Sequence, residues 1–252
     1  MPAQVHPVFR PPADTAVKIW RYMSLAKFIW TLQKRALYFA RSDLMGDPFE
    51  GHYSKITAMS EDAFVRAQMS DPVFSKFGED VHRRNFQQIL STVPKEKLLL
   101  FVNCWHMNEY ESLAMWKLYA AQHDSICIQS TYSKFERLLP HDCFLGTVRY
   151  IDYNKEYIDM TNGLQFIVHK RRSFEHEREL RSVLWSPAVT TPFKSDDGRG
   201  LIVPIDVNDL IDGIYINPNA KPILEDVVNG LKHNYALAAP VHKSDVNEAP
   251  NY

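Results

Sequence analysis

Net charge is nearly absent from this chain: 29 basic and 30 acidic residues leave a formal charge of −1 over 252 residues. Without a field of either sign, a general nucleic-acid or anionic-membrane binder is disfavoured, and only a local basic patch keeps such a role open. Cysteine is scarce. Cys104, Cys127 and Cys143 are too few and too irregularly spaced for a disulfide framework or a CxxC metal site, so they read as reduced and mostly buried. No apolar run approaches the length that spans a bilayer, and Met1 to Val17 lacks the basic start and apolar core of a signal peptide. A cytoplasmic protein with no membrane partner is the expectation. Several motifs are also missing: no GxGxxG follows a strand, and there is no GxxxxGK[ST], GxSxG or HExxH. Cys104 and His106 share one face of a strand, but two ligands do not make a zinc site, and no metal is expected.

What is present is an ordinary globular composition, 45% hydrophobic and 23% charged, enough for a sizeable core. Residues 1–17, rich in proline, read as a flexible arm, and 246–252 as a frayed end. Between them, 18–245 reads as one α+β domain, an irregular mixed sheet flanked by helices, with a helical insertion around 60–97. Lys18 to Tyr22 is a first strand. Behind a Ser24 cap, Leu25, Phe28, Ile29 and Leu32 fall at helical spacing, and the basic pair Lys34-Arg35 suits the helix end. Further strands are expected at 36–40, 98–103, 125–131, 146–153, 201–205, 213–216 and 241–243. Helices are expected at 113–121, 133–139, 161–173 and 222–233. The loop Asp47-Pro48-Phe49-Glu50-Gly51 has turn chemistry, and Phe49 should tuck into the core.

The densest chemistry lies in Lys170 to Arg181. As a strand from Glu177 onward, the segment would project Glu177, Glu179 and Arg181 from one face. As a helix, it would give Arg171 with Glu175 and Glu177 with Arg181 at i,i+4, an ordinary solvated face. Arg21, flanked by Trp20 and Tyr22, is the other notable charge. If buried it must be paired, either with a structural carboxylate or with an anionic ligand such as a phosphate.

Trp20-Arg21-Tyr22-Met23-Ser24-Leu25, Tyr38-Phe39-Ala40-Arg41, Asp47-Pro48-Phe49-Glu50-Gly51, Cys104-Trp105-His106, Met115-Trp116 and Phe174 to Arg181 resemble, in that order, the bacterial family called domain of unknown function twenty-nine seventy-one. The resemblance covers roughly residues 18–245. That family's pattern closes on Glu-x-Glu-aromatic-Arg; here Leu180 replaces the aromatic and leaves both acids and the arginine in place. More remotely, the layout resembles the ADP-ribosyltransferase fold. That resemblance implies NAD as substrate, with Glu179 as the catalytic carboxylate, Glu177 at the acceptor, and Arg181 orienting one of the acids. It also implies Arg21 on the pyrophosphate, Ser130 on a middle strand, and Tyr22, Tyr38 or Trp105 as a ring-stacking wall. The acceptor would be a protein or a nucleic acid, and a bacterial toxin or phage-defence system the setting. The chemistry suits the residue types, because a carboxylate beside the ribose stabilises an oxocarbenium-like transition state. Arg21, Glu177 and Glu179 should then line one cleft, and separation of Arg21 from both acids by the body of the domain would sink the NAD assignment. Two alternatives remain: a metal-dependent nuclease using Glu177, Glu179 and Lys170, and a non-catalytic interaction protein whose charged stretch is a structural ion network.

Overall fold

The repeat of Leu25, Phe28, Ile29 and Leu32 makes a helix for the reason the spacing suggests. Ser24 accepts a hydrogen bond from the Lys27 N–H, Phe28 and Leu32 are buried, and Arg35 ends the helix in the left-handed region at φ 46°. The computed structural model describes residues 3–121, 123–196 and 198–247. In chain order these form β1 (Lys18–Ser24), α1 (Leu25–Lys34), β2 (Ala36–Arg41), α2 (Lys55–Ala58), α3 (Glu61–Ser70), α4 (Glu79–Glu96), β3 (Leu100–Met107), α5 (Leu113–Tyr119) and β4 (Ser125–Thr131). There follow α6 (Tyr132–Leu138), β5 (Cys143–Thr147), β6 (Arg149–Ile151), β7 (His169–Arg171), β8 (Glu179–Trp185), β9 (Lys194–Asp196), β10 (Gly200–Pro204), α7 (Val207–Leu210), β11 (Gly213–Ile216), α8 (Pro222–Asn234) and β12 (Val241–Lys243). This is an α+β domain, and α3 and α4 form the expected helical insertion. Among the described residues no helix is long and apolar enough to cross a membrane.

The sheet forks at β3. One edge of β3 pairs with β8 from Leu100↔Trp185 to His106↔Glu179, and β5 continues the sheet beyond β8. The other edge is shared. Its end pairs with β1 at Ile19↔Met107 and Trp20↔His106, and its start pairs with β2 at Ala40↔Val102 and Arg41↔Phe101. From there β1 leads to β4, β11 and β12, and β2 leads to β10 and β9. Where the two branches part, side chains replace the ladder: the Asn103 amide donates to the Tyr38 carbonyl at 2.9 Å and accepts from the Trp105 indole at 2.8 Å.

The two faces have different cores. Ile19, Met23, Trp105, Ile128 and Leu180 share one face with Phe28, Leu32 and Phe135 of α1 and α6. Val102, Phe144 and Val183 share the other with Phe166 and Val168, and with Val8 and Phe9 from the N-terminal segment. That segment, expected as a loose arm, lies against β5: Phe9 stacks on Phe144 at 5.2 Å. Gly146 makes this approach feasible, because a Cβ there would meet the Phe9 backbone at 2.7 Å. At the other end, residues 248–252 of the expected frayed tail lie outside the described residues.

Two expected elements differ. Residues 161–173 are not one helix but a 3-10 turn, Gln165–Val168, running into β7. Phe166, Ile167 and Val168 are all buried, a consecutive burial that no single helix face provides. The strand expected over 146–153 is two strands. β5 pairs with β8 while β6 pairs with β7, and between them the Val148 N–H bonds the Glu179 carbonyl at 2.9 Å, the last contact with β8 before the chain moves to β7.

Candidate functional site

The segment 172–181 is neither all helix nor all strand. A 3-10 turn, Arg172–Glu177, ends at Arg178, whose φ of 39° is left-handed, and β8 begins at Glu179. For a non-glycine residue that conformation costs roughly 1–2 kcal/mol, so its neighbours must hold it. Arg178 N–H donates to the Glu175 carbonyl at 3.1 Å, and its own carbonyl accepts from Met107 N–H at 2.9 Å. As a result Glu177, from the turn, and Glu179, from the strand, both reach one ammonium.

That ammonium belongs to Lys170 on β7. Its Nζ lies 2.5 Å from Glu177 Oε2, 3.3 Å from Glu179 Oε2 and 3.3 Å from Glu50 Oε1. Beside it, Arg181 donates from Nε to Glu179 Oε1 at 2.7 Å, from Nη2 to Glu179 Oε2 at 2.9 Å and to Glu50 Oε1 at 2.6 Å, and from Nη1 to the Ile167 carbonyl at 2.6 Å. Arg181 is fully buried and the other four members are at most 5% exposed. Charges so buried persist only when paired and hydrogen-bonded, and Arg181 makes four such bonds with its five N–H donors. Burial opposes ionisation of Glu179, but Arg181 and then Lys170 override it and bring its pKa down to about 2. Burial likewise opposes the Lys170 ammonium, and Glu179, Glu50 and Glu177 outweigh it and raise its pKa. With all five ionised, three carboxylates face two cations and leave one negative charge in excess. The outer carboxylate is Glu177: its Oε1 accepts from the hydroxyl of Tyr119, a half-exposed residue at the end of α5, at 2.8 Å.

Beside the Arg172–Glu177 turn is an open cleft of about 600 Å³ lined by Pro12, Val17, Met107, Val148, Tyr150, Glu175, His176 and Arg178, none of them a member of the network; Val17 and Met107 pack with the Trp105 core, on the other face of the sheet from Glu179. Glu177 sits in the chain between two lining residues, and the Glu179 N–H donates to the hydroxyl of a third, Tyr150, at 2.8 Å. Arg178 is exposed there; its side chain donates to Asn108 Oδ1 at 3.1 Å and forms no ion pair among the described residues. Behind the acids, His106 is 3% exposed, with Nδ1 2.6 Å from the Glu177 carbonyl and Nε2 buried without a hydrogen-bond partner.

Glu177, Glu179 and Arg181 are thus brought together, and Arg21 is not with them. Trp20, His106 and Glu179 form one row across β1, β3 and β8, so Glu179 shares their face; Arg21 is on the other face, beside Trp105 and Ile128. The single cleft expected for Arg21 and the two acids does not form. Arg21 lies 5.9 Å from the Trp105 ring centre, has no ion-pair partner among the described residues, and burial lowers its pKa to about 10. Ser130 shares its face, with Oγ buried and unbonded. Tyr22 is on the acid face, where its hydroxyl accepts from Ser112 N–H at 2.7 Å and its ring lies 6.3 Å from that of His106. Tyr38 packs on Gly200 and against Trp30, with ring centres 6.0 Å apart.

Sequence reasoning missed Glu50, Tyr119 and Tyr150, and it inverted one loop. Phe49 is 43% exposed while Asp47 and Glu50 are buried. The acids turn inward because cations wait for them: Asp47 holds Arg171 at 2.6 Å and Glu50 holds Arg181 and Lys170, whereas Phe49 lies outside, 4.5 Å from the Arg171 guanidinium. Glu50 is the third acid that a nuclease would need. The Lys170 ammonium nevertheless fills the point where the three carboxylates converge, and among the described residues no three His, Cys, Asp or Glu side chains are arranged to hold a metal ion.

No protein-family model matches the chain, and no curated protein does. Among solved structures it is similar to DarT of Thermus sp. 2.9. The DarT complex with NAD+ is 10% identical, with a TM-score of 0.40 over 93% of this chain and 97% of that one. The complex with ADP-ribosylated single-stranded DNA is 11% identical, with a TM-score of 0.39 over 93% and 96%. A likeness of this degree assigns neither fold nor activity.

Proposed function

We propose that the chain uses NAD and cleaves its nicotinamide glycosidic bond, transferring ADP-ribose to an acceptor or to water. The observation that carries this is the convergence of three buried carboxylates, Glu50, Glu177 and Glu179, on only two cations, Lys170 and Arg181, with Glu177 in the chain between the cleft-lining His176 and Arg178. Breaking the bond sends its electron pair out with nicotinamide and leaves a cationic ribose, which a fixed negative charge in a water-poor site stabilises. The acceptor or water then adds to that carbon and loses its proton to a carboxylate.

The resemblance gave the ribose to Glu179 and the acceptor to Glu177; the geometry favours Glu177 for the ribose. Glu179 is neutralised by a two-point bond to Arg181, while Glu177 shares one lysine and has a neutral hydroxyl as its other partner. Moving the Tyr119 side chain would bare Glu177. Arg21, on the face of the sheet opposite the acids, does not take the place that the resemblance implied; the cation that lines the cleft, and is offered to the pyrophosphate, is Arg178. NAD+ with single-stranded DNA, both bound by the DarT chains, is the first pair to test, with water alone as the second. Release of nicotinamide supports the proposal, and its absence with either acceptor contradicts it.

A second function has its own observation. The full burial of Arg181, with four donated hydrogen bonds, suits a structural ion network in a non-catalytic interaction protein. In that case loss of an acid changes stability and nothing else.

A further inference from the structure

Away from the cleft, positive charge gathers with no ion pair among the described residues, although Asp159 favours the charged form of Arg149 and Glu156 that of His169 from a distance. Arg149 opens β6 directly beside His169 of β7, and alternation along the strand turns it away from Val148 and Tyr150, which line the cleft. Arg149 Nη2 donates to Gln165 Oε1 at 2.6 Å, while its Nε is buried with no hydrogen-bond partner. The N-terminal segment brings Arg10 close enough for its charge to disfavour the charged forms of Arg149 and His169. Thr147, two residues before Arg149, donates its N–H to the Arg10 carbonyl at 2.9 Å. Neither Arg10 nor Arg149 forms an ion pair among the described residues. The nearby acids are engaged elsewhere: Asp159 accepts from Thr161, and Glu156 from Arg172 and the Asp152 N–H.

We propose that Arg10, Arg149 and His169 form a phosphate-binding site on the side of β6 opposite the cleft. Guanidinium groups match a phosphate with paired N–H donors, and an orphaned Nε is one such donor already desolvated and aimed. His169 supplies a third group: its Nδ1 lies 2.6 Å from the Gln165 carbonyl and is fixed as a donor, so Nε2 donates to a phosphate oxygen once it has taken up a proton. Without an anion, burial and then the neighbouring arginines Arg149 and Arg10 hold the imidazole neutral, with a pKa of about 4. A bound phosphate reverses that influence and raises it. The site stands apart from the NAD proposal and needs no turnover to be seen.

The test titrates the whole chain with inorganic phosphate and, separately, with dimethyl phosphate, by calorimetry at low salt, and follows the His169 ring by NMR with His169→Gln as the assignment control. The expected result is saturable binding, weakened about tenfold by Arg10→Gln or Arg149→Gln, with the His169 pKa rising on binding. Arg10 is exposed, so Arg10→Gln should unfold at the same temperature as wild type. Tighter binding of inorganic phosphate marks a terminal phosphate, and equal or tighter binding of dimethyl phosphate marks a phosphodiester; both support the site. Absence of saturable binding, an unmoved His169 titration, or affinity lost in Arg178→Gln rather than Arg10→Gln overturns it.

Discussion

Arg181 and Glu179, two residues apart on β8, meet in a two-point bond, Nε to Oε1 at 2.7 Å and Nη2 to Oε2 at 2.9 Å. Residues at i and i+2 of a strand share a face, which makes the pair local. The same Nη2 also reaches Glu50 Oε1 at 2.6 Å, so one guanidinium locks the loop after β2 to β8.

Arg181→Met should therefore destabilise the protein by about 3–5 kcal/mol, because Glu179 and Glu50 lose a buried counter-charge. Adding Glu179→Gln should recover part of that loss, since the second change removes one of the stranded charges. Urea unfolding of wild type, single and double variants measures both effects. A single variant as stable as wild type would show that Arg181 is not the clamp described.

Acid should unfold the protein through Glu179. Its pKa is about 2 in the folded chain against an ordinary 4.5, so its stabilising contribution is present above 4.5 and is lost as pH falls toward 2. The shift corresponds to about 3 kcal/mol. Lys170 has the opposite sign: its pKa is raised above 10.5, so its contribution is full at neutral pH and fades only in strong base. Stability measured by urea midpoints from pH 7 to pH 2 should drop less steeply in Glu179→Gln. An identical acid slope in variant and wild type would remove Glu179 as the cause.

Gly146→Ala should release the N-terminal segment. The added Cβ would meet backbone atoms of Phe9 and Arg10 at 2.7 to 2.8 Å, and backbone does not step aside as a flexible side chain would. A loss of about 1–3 kcal/mol is expected, with faster proteolysis before residue 17. Unchanged stability and cleavage would mean that the segment's packing on β5 contributes little.

How much of this was legible depended on distance along the chain. α1 followed from four apolar residues and a serine cap, and the strands at 125–131 and 213–216 from their runs of β-formers, because those signals are local. The charge density of 170–181 drew attention to Glu177, Glu179 and Arg181, and the structure does assemble them. Arg21 failed for a definite reason: the face it occupies depends on the register Trp20↔His106↔Glu179 across three strands, and register is a tertiary fact. Phe49 and Glu50 failed because the general preference for aromatic inside and acid outside holds only until a buried cation claims the acid. That cation, Arg181, lies 131 residues away.

Nicotinamide release from NAD+ by wild type, Glu177→Gln and Glu179→Gln, measured alongside their thermal unfolding, bears most directly on the proposed function. Glu177→Gln keeps the size of the side chain and one acceptor oxygen for Lys170, turns an NH2 donor toward the Tyr119 oxygen, and removes one negative charge from the cluster. Turnover should fall by about 10²–10³ while the unfolding temperature stays near that of wild type. Glu179→Gln should lose stability as well as turnover, because Arg181 loses its two-point partner. No turnover by wild type, together with lowered unfolding temperatures in both variants, would contradict the NAD chemistry and leave the cluster as a structural ion network.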